Sequence, residues 1–402
     1  MSSKRKIAII STGDLPIPAV QGGAVENLIE NLLNENEQRQ IYEFIVYSSF
    51  NRKALAEINK YKCSSFRFIK NEGFISFLSR FYYKVKTTIS NSYQGNYYIN
   101  KVAKFINCEK IPFDYIIIEN MPVYSVVLKK KCSVPIIQHL HNSYIHNSTK
   151  FLYEIFNSTK EWLCVSKYIE SEVMATAKSL HLNVSCHVWY NGIRPMKRLT
   201  NIEATSFKKK LGFSKNDFIC IFTGRIVPYK GIRELLAAFQ SISENNIKLL
   251  ILGAPVFSLK KRTPFLNEII ASCNKQKNKV FFAGYVPYDE IENYYSIADI
   301  ACLPSIWQEP FGATIIESMF VGVPLITTSV GGIPEIIGES DVIMLNTGKD
   351  LSSEIKKAIL KLYTNPELRQ IMAESGMRRA TQFTSEKYYK RFTENIQLIE
   401  KQ

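Results

Sequence analysis

The sequence predicts an α/β protein of two domains, each built on a parallel sheet. Three observations carry that expectation. At 402 residues the chain is longer than one hydrophobic core usually organises. Strand-like and helix-like segments alternate in two successive series. Between the series lies YNGIRPMKRLTN, residues 190–201, where periodicity stops and Gly, Pro and basic residues collect as they do in linkers.

Taken in order, residues 6–11 form an apolar run suited to a buried first strand. After a loop holding Gly22 and Gly23, the residues Val25, Leu28, Ile29, Leu32 and Leu33 recur at helical spacing. Further strands are predicted at 44–47, 115–118, 135–139 and 162–165. The second series places strands at 218–223, 248–252, 280–283, 300–303, 324–327 and 342–345. A final helix is expected over 385–401, with Tyr389, Phe392, Ile396 and Ile399 on one stripe. Two such domains on one chain imply a cleft, and clefts between domains bind ligands.

Composition narrows the chemistry. Hydrophobic residues at 46% and charged residues at 22% are ordinary for a folded globular chain, which argues against extensive disorder. The formal net charge of +15 implies an anionic partner. Basic residues crowd the stretch 52–110, and Phe74, Phe77, Phe81, Tyr82 and Tyr83 are interleaved with them. Around 67–86 that mixture suits an anionic membrane surface. A helix that packs its aromatics inward and solvates its lysines explains the same residues. No zinc-finger, RNP or basic-zipper pattern accompanies the charge, so nucleic acid is not expected. The eight cysteines show neither a CxxC pair nor metal-ligand spacing and are expected to be buried free thiols in a reducing, cytoplasmic setting. The N-terminus reads as a strand and not a signal peptide, and no run of about 18 apolar residues occurs, so no span is expected.

The most informative segment is SIWQEPFGATIIES, residues 305–318. Glu309 and Glu317 stand eight positions apart, about two helical turns. A helix beginning near Phe311 would turn Glu317 toward the loop carrying Glu309, so that both carboxylates line one pocket. Gly312 would let a ligand come close to the backbone, and the free N–H groups at the helix start would favour a phosphate oxygen there. A surface helix start rich in acid is the plainer account of such a pair. Here strands predicted on either side put the segment at the carboxyl edge of a parallel sheet, where open α/β folds bind ligands. FTGRIVPYKG, residues 222–231, ends a strand in Gly224 and then offers Arg225 and Lys230, a fork and a point charge suited to a diphosphate. The Gly22–Gly23 pair before the first helix offers weaker phosphate-binding backbone of the same kind.

With these motifs in order, the chain resembles family 4 retaining glycosyltransferases of the GT-B fold over essentially its whole length. The likeness rests on GGAVENLIENL, IIQHLHN, WLCVSKYI, YNGI, TGRIVPYKG, GYVPYDEIENYYSIADI and SIWQEPFGATIIESMFVGVPLITTSVGGIPEII. It implies an N-terminal acceptor-binding domain over 1–193 and a nucleotide-sugar-binding domain over 194–384, with a helix of about 385–402 returning to the first. It further implies that Arg225 and Lys230 grip the donor diphosphate, that Glu309 holds hydroxyls of the transferred sugar and that Glu317 holds the ribose. Phe311, Gly312 and Ala313 complete the sugar and phosphate contacts. Gly22, Gly23 and Gly224 lie near the phosphate, and Tyr285 and Val286 lie against the base. His141, trailing Pro135 by six positions and followed by Asn142, matches the family's first-domain histidine beside the donor sugar, whereas His139 reads as a core strand residue. Arg194 and Pro195 after Ile193 depart from the family's usual pattern and bear on the hinge or the acceptor side.

The activity implied is transfer of a hexosyl or N-acetylhexosaminyl group from a nucleotide sugar, UDP-linked in the leading reading, to a hydroxyl of a lipid-linked or polysaccharide acceptor at the cytoplasmic membrane face. Retention by front-face displacement, with the leaving phosphate assisting deprotonation, needs no dedicated base. The expected cofactor list is empty: no metal, with the two cations serving the diphosphate. The alternatives are a nucleotide-sugar epimerase of similar architecture and a non-catalytic partner subunit.

Overall fold

The computed structural model describes residues 4–71, 73–255 and 263–401. The chain divides into two compact units, one of residues 1–192 and 385–402 and the other of residues 193–384.

Among the described residues the first unit holds a seven-stranded parallel sheet: β1 (Arg5–Ile10), β2 (Tyr42–Ser49), β3 (Ser64–Ile69), β4 (Tyr115–Glu119), β5 (Ile136–Leu140), β6 (Glu161–Cys164) and β7 (Cys186–Val188), in the order β3-β2-β1-β4-β5-β6-β7. The near-continuous apolar runs of β1 and β4 fit a sheet buried on both faces. Alternation within β1 shows how: Ile7 and Ile9 join one core, while Ala8 and Ile10 join the other. The first core takes Leu28, Ile29, Leu32 and Leu33 of the Ala24–Arg39 helix, together with Tyr388, Tyr389, Phe392 and Ile396 of the last helix, Ser385–Glu400. The second takes Ile99, Val102, Ala103 and Ile106 of the Tyr97–Cys108 helix. Trp189 clamps the last helix, stacking on Tyr388 at 4.4 Å and donating its Nε1–H to the Tyr388 carbonyl at 2.9 Å.

The second unit holds β8 (Phe218–Thr223), β9 (Ile247–Leu252), β10 (Val280–Gly284), β11 (Ile300–Leu303), β12 (Leu325–Thr328) and β13 (Ile343–Leu345) in the parallel order β10-β9-β8-β11-β12-β13. Leu235, Leu236 and Phe239 of the Ile232–Ser241 helix and Ile355, Ile359 and Leu362 of the Leu351–Thr364 helix pack on one face of it. In each sheet the strand order reverses once, between β1 and β4 and between β8 and β11. Loops leaving the carboxyl ends of those strands open a crevice, and open α/β sheets bind ligands there.

Two short edge strands, β3 and β7, fall outside the strands predicted from sequence. β3 lies inside the basic stretch with its middle residues Phe66, Arg67 and Phe68 half-buried, so Arg67 belongs to a strand, ion-paired to Glu109 at 3.0 Å, and the membrane-suited run 67–86 is not one helix. Its helical part is Phe74–Ser90. Cysteine burial is also narrower than expected: Cys164, Cys220, Cys273 and Cys302 are buried, Cys108 is exposed, and all eight are free. Among the described residues no helix is long and apolar enough to cross a membrane.

Candidate functional site

In the second unit the site is built where the strand order reverses. β8 ends at Thr223, and Gly224, Arg225 and a 3₁₀ turn at Pro228–Lys230 follow. Gly231 closes that turn at φ 72°, and a Cβ there would collide with the carbonyl of Pro304, just past β11. Only glycine therefore lets the two loops meet. Their contact is explicit: the Ile306 N–H donates to the Tyr229 carbonyl at 3.0 Å, and Lys230 Nζ forms an ion pair with Glu309 Oε2. Ser305 Oγ adds a 3.3 Å hydrogen bond to the same carboxylate oxygen. Behind Glu309, the Gly332 N–H donates to the Glu309 carbonyl at 2.7 Å, and a Cβ on Gly331 would strike that backbone. The exposed Arg225 guanidinium lies over the Tyr229 ring at 5.6 Å, and that ring faces Trp307, also at 5.6 Å.

The following helix starts at Ala313, two residues beyond the predicted start, with Gly312 as N-cap at φ 91°. Phe311 is buried and Gly312 and Ala313 are half-buried, so the backbone that opens the helix stands beside the Glu309 loop. Glu317 lies one turn farther in, 4% exposed. Its polar neighbour is the Tyr295 hydroxyl, 3.4 Å from Oε2, which also contacts the Thr314 carbonyl at 3.1 Å. Burial pushes the Glu317 carboxyl up to about 7, with the Tyr295 hydrogen bond opposing. Tyr288 is itself pushed up, by burial first and then by the Glu317 charge. Glu309 and Glu317 thus share no partner among the described residues: one is held by a cation, the other is a buried acid against tyrosines. Tyr285 is half-buried and Val286 buried directly after β10.

In the first unit the reversal point gathers Gly22, Gly23, Glu26, Glu119 and the two strand histidines. Gly23 is the N-cap of the Ala24–Arg39 helix, and the buried Glu26 carboxylate lies over it. Burial raises the Glu26 carboxyl, against its own backbone hydrogen bond and the nearby His141. That end of the helix already faces an acid. His141 lies just past β5, with Nε2 2.8 Å from Glu119 Oε2. His139 Nδ1 reaches the same oxygen at 2.9 Å. Burial would raise the Glu119 carboxyl, but the two imidazoles outweigh it and hold it at about 2. Burial pushes His139 down to about 4, so it is neutral at pH 7. Among the described residues, Glu119, His139 and His141 are also the one set of three whose chemistry and spacing, within 4.8 Å, suit a metal ion. Here His141 Nε2 is engaged with the Glu119 carboxylate.

Sequence reasoning missed Ser305, Tyr229, Tyr295, Gly331 and Glu119. Three of them carry a legible signal: Gly331 begins a Gly pair after a strand, Glu119 is an acid ending an apolar run, and Ser305 follows one. What the sequence withholds is which of these polar residues face one another.

A family model of the glycosyl transferases group 1 matches residues 203–379, which include Arg225, Lys230, Glu309 and Glu317. The second unit carries a glycosyl transferases group 1 domain. Among similar proteins, an uncharacterized glycosyltransferase of Methanocaldococcus jannaschii is 30% identical over 52% of this chain and 55% of its own length. The lipopolysaccharide 1,2-N-acetylglucosaminetransferase of Salmonella typhimurium is 24% identical over 70% of this chain and 72% of its own length. Among solved structures, Anabaena HepE in complex with UDP and glucose superposes with a TM-score of 0.76 at 17% identity, covering 98% of this chain and all (100%) of that one. At that identity the likeness establishes the GT-B fold alone.

Proposed function

We propose that this glycosyltransferase moves a hexosyl or N-acetylhexosaminyl group from a nucleotide sugar, most simply UDP-linked, to a hydroxyl of a lipid-linked or surface-polysaccharide precursor, with retention. The observation that carries the reading is the Lys230–Glu309 pair, set between loops at the reversal point of the second sheet beside Arg225 and a helix start. Cations and helix-start N–H groups together suit the charge that grows on a leaving diphosphate. Lys230 exchanges its carboxylate for that diphosphate, and Glu309 is thereby released to accept hydrogens from sugar hydroxyls. Glu317, ionised, accepts from the ribose; Tyr285 and Val286 border the base. His141 hydrogen-bonds the transferred sugar during turnover. Arg225 and Lys230 supply the positive charge a divalent ion would otherwise bring, so the proposed reaction needs no metal. HepE, of the same fold, was solved with UDP and glucose, which supports the choice of nucleotide.

The acceptor reading rests on the Phe74–Ser90 helix. Phe77, Phe81, Val85 and Ile89 follow one another at steps of four, are 68%, 70%, 41% and 81% exposed, and lie beside exposed Leu78 and Tyr82. Among the described side chains of this helix the half-buried ones are Ser79, Tyr83 and Thr87. An amphipathic helix that turns its apolar stripe outward, flanked by exposed Lys84 and Lys86, suits the interface of an anionic bilayer. On this reading the enzyme works at the inner face of the cell membrane on a lipid-linked substrate. Incubation with nucleotide sugars, membrane extract and EDTA tests the whole: nucleoside diphosphate must appear and the label must enter lipid. Isomerised donor without release would identify an epimerase instead.

A further inference from the structure

The buried Glu119 carboxylate has a use beyond packing. β4 ends in Glu119 and Asn120, and both hold His141: the Asn120 side-chain oxygen accepts the His141 backbone N–H at 3.1 Å, and Glu119 Oε2 lies 2.8 Å from Nε2. An ionised carboxylate has no hydrogen to give, so Nε2 carries it. Nδ1 is then the free ring nitrogen, and among the described residues it is shielded from solvent without a hydrogen-bond partner. The ring has little freedom to turn. His139 lies 4.1 Å from it and is itself stacked at 4.1 Å on Trp189, which rests on Tyr388. The ionisable groups facing His141 are Glu119 from β4, His139 from its own strand and Glu26 from the Ala24–Arg39 helix.

We propose that Glu119 is a positioning residue for His141: its carboxylate fixes the Nε2–H tautomer and the ring plane, and so presents Nδ1 as an acceptor for a sugar hydroxyl. The role given to the sugar rests on the transferase reading above, but the tautomer does not. A buried acceptor left unmatched is costly, and a hydroxyl delivered by substrate satisfies it only if the ring is held in this form. A neighbour that fixes tautomer and orientation is the usual partner of a working imidazole.

The test uses the full chain labelled with ¹⁵N-histidine, with the His141 signals assigned by their loss in His141→Gln. The expected result is a single Nε2–H tautomer at His141 in the native protein, and a mixture of both tautomers in Glu119→Gln. Misplacing the ring should lower kcat about 10- to 100-fold in Glu119→Gln, with the donor KM changed less than about threefold. An Nδ1–H tautomer in the native chain overturns the proposal, as does native kcat in Glu119→Gln. Stoichiometric zinc in the native protein, lost in Glu119→Gln, overturns it in favour of a metal site. If Glu119→Gln does not fold, the native spectrum alone decides. Should the native protein release nucleoside diphosphate from no nucleotide sugar, the transferase reading fails while the tautomer result keeps its meaning.

Discussion

Glu317 offers a stability measurement whose sign is fixed by the structure. Its carboxyl is 4% exposed and is pushed by burial from an ordinary 4.5 to about 7. Between those values the fold keeps the proton that the unfolded chain gives up, so stability is fully present at acid pH and is lost as pH rises through about 7. Each unit of displacement corresponds to about 1.4 kcal/mol, so the loss between pH 5 and 8 is about 2–3 kcal/mol. For a domain of this size that moves Tm by roughly 5–10 °C. The perturbation is Glu317→Gln, a neutral side chain of the same shape that imitates the protonated acid. Thermal unfolding of both proteins from pH 5 to 8 should show matching Tm values at pH 5 and a more stable variant at pH 8. Nucleotide binding should be weaker in the variant at pH 8, where the native side chain is a carboxylate and accepts more hydrogens from ribose hydroxyls than an amide does, and the difference should shrink toward pH 5. Parallel Tm curves for the two proteins would refute the reasoning, since they would mean that Glu317 is ionised in the fold throughout.

Other outcomes follow from the same geometry. Lys230→Ala should weaken nucleoside diphosphate binding by about tenfold or more in calorimetry, because a charge-assisted contact is removed and Glu309 is left without its cation. Phe392→Ala should destabilise the first unit by about 3–5 kcal/mol in denaturant unfolding, since the ring is fully buried among Tyr42, Phe44 and Trp189. Phe77→Ser with Phe81→Ser should reduce sedimentation with anionic vesicles at low salt by about tenfold or more while leaving Tm unchanged, because both rings are already exposed. EDTA should leave nucleoside diphosphate release unaltered.

The fold was largely legible because its signals are local and redundant. β11 is bounded by the residues that hydrophobicity marks, and the stripe Tyr389, Phe392, Ile396 and Ile399 is buried as its spacing requires. β3 and β7 were illegible because short edge strands need no continuous apolar run; their positions are fixed by pairing with β2 and β6. In the site, residue types were readable and partners were not. Two glutamates eight positions apart suggest a shared pocket, yet one is claimed by Lys230, far off in sequence, and the other by the burial of its helix. The outward stripe of the Phe74–Ser90 helix was ambiguous for a different reason. Periodicity gives the stripe but not which way it faces, and among the described side chains the half-buried Ser79, Tyr83 and Thr87 give that direction.

The most direct test of the central claim is nucleoside diphosphate release from a panel of nucleotide sugars by the native protein and by Glu309→Gln. The account predicts release from one donor, UDP-linked, and a loss of about 10²–10³-fold in the variant with an unchanged melting profile. Release by the variant at the native rate, or no release by the native protein from any donor, would contradict it.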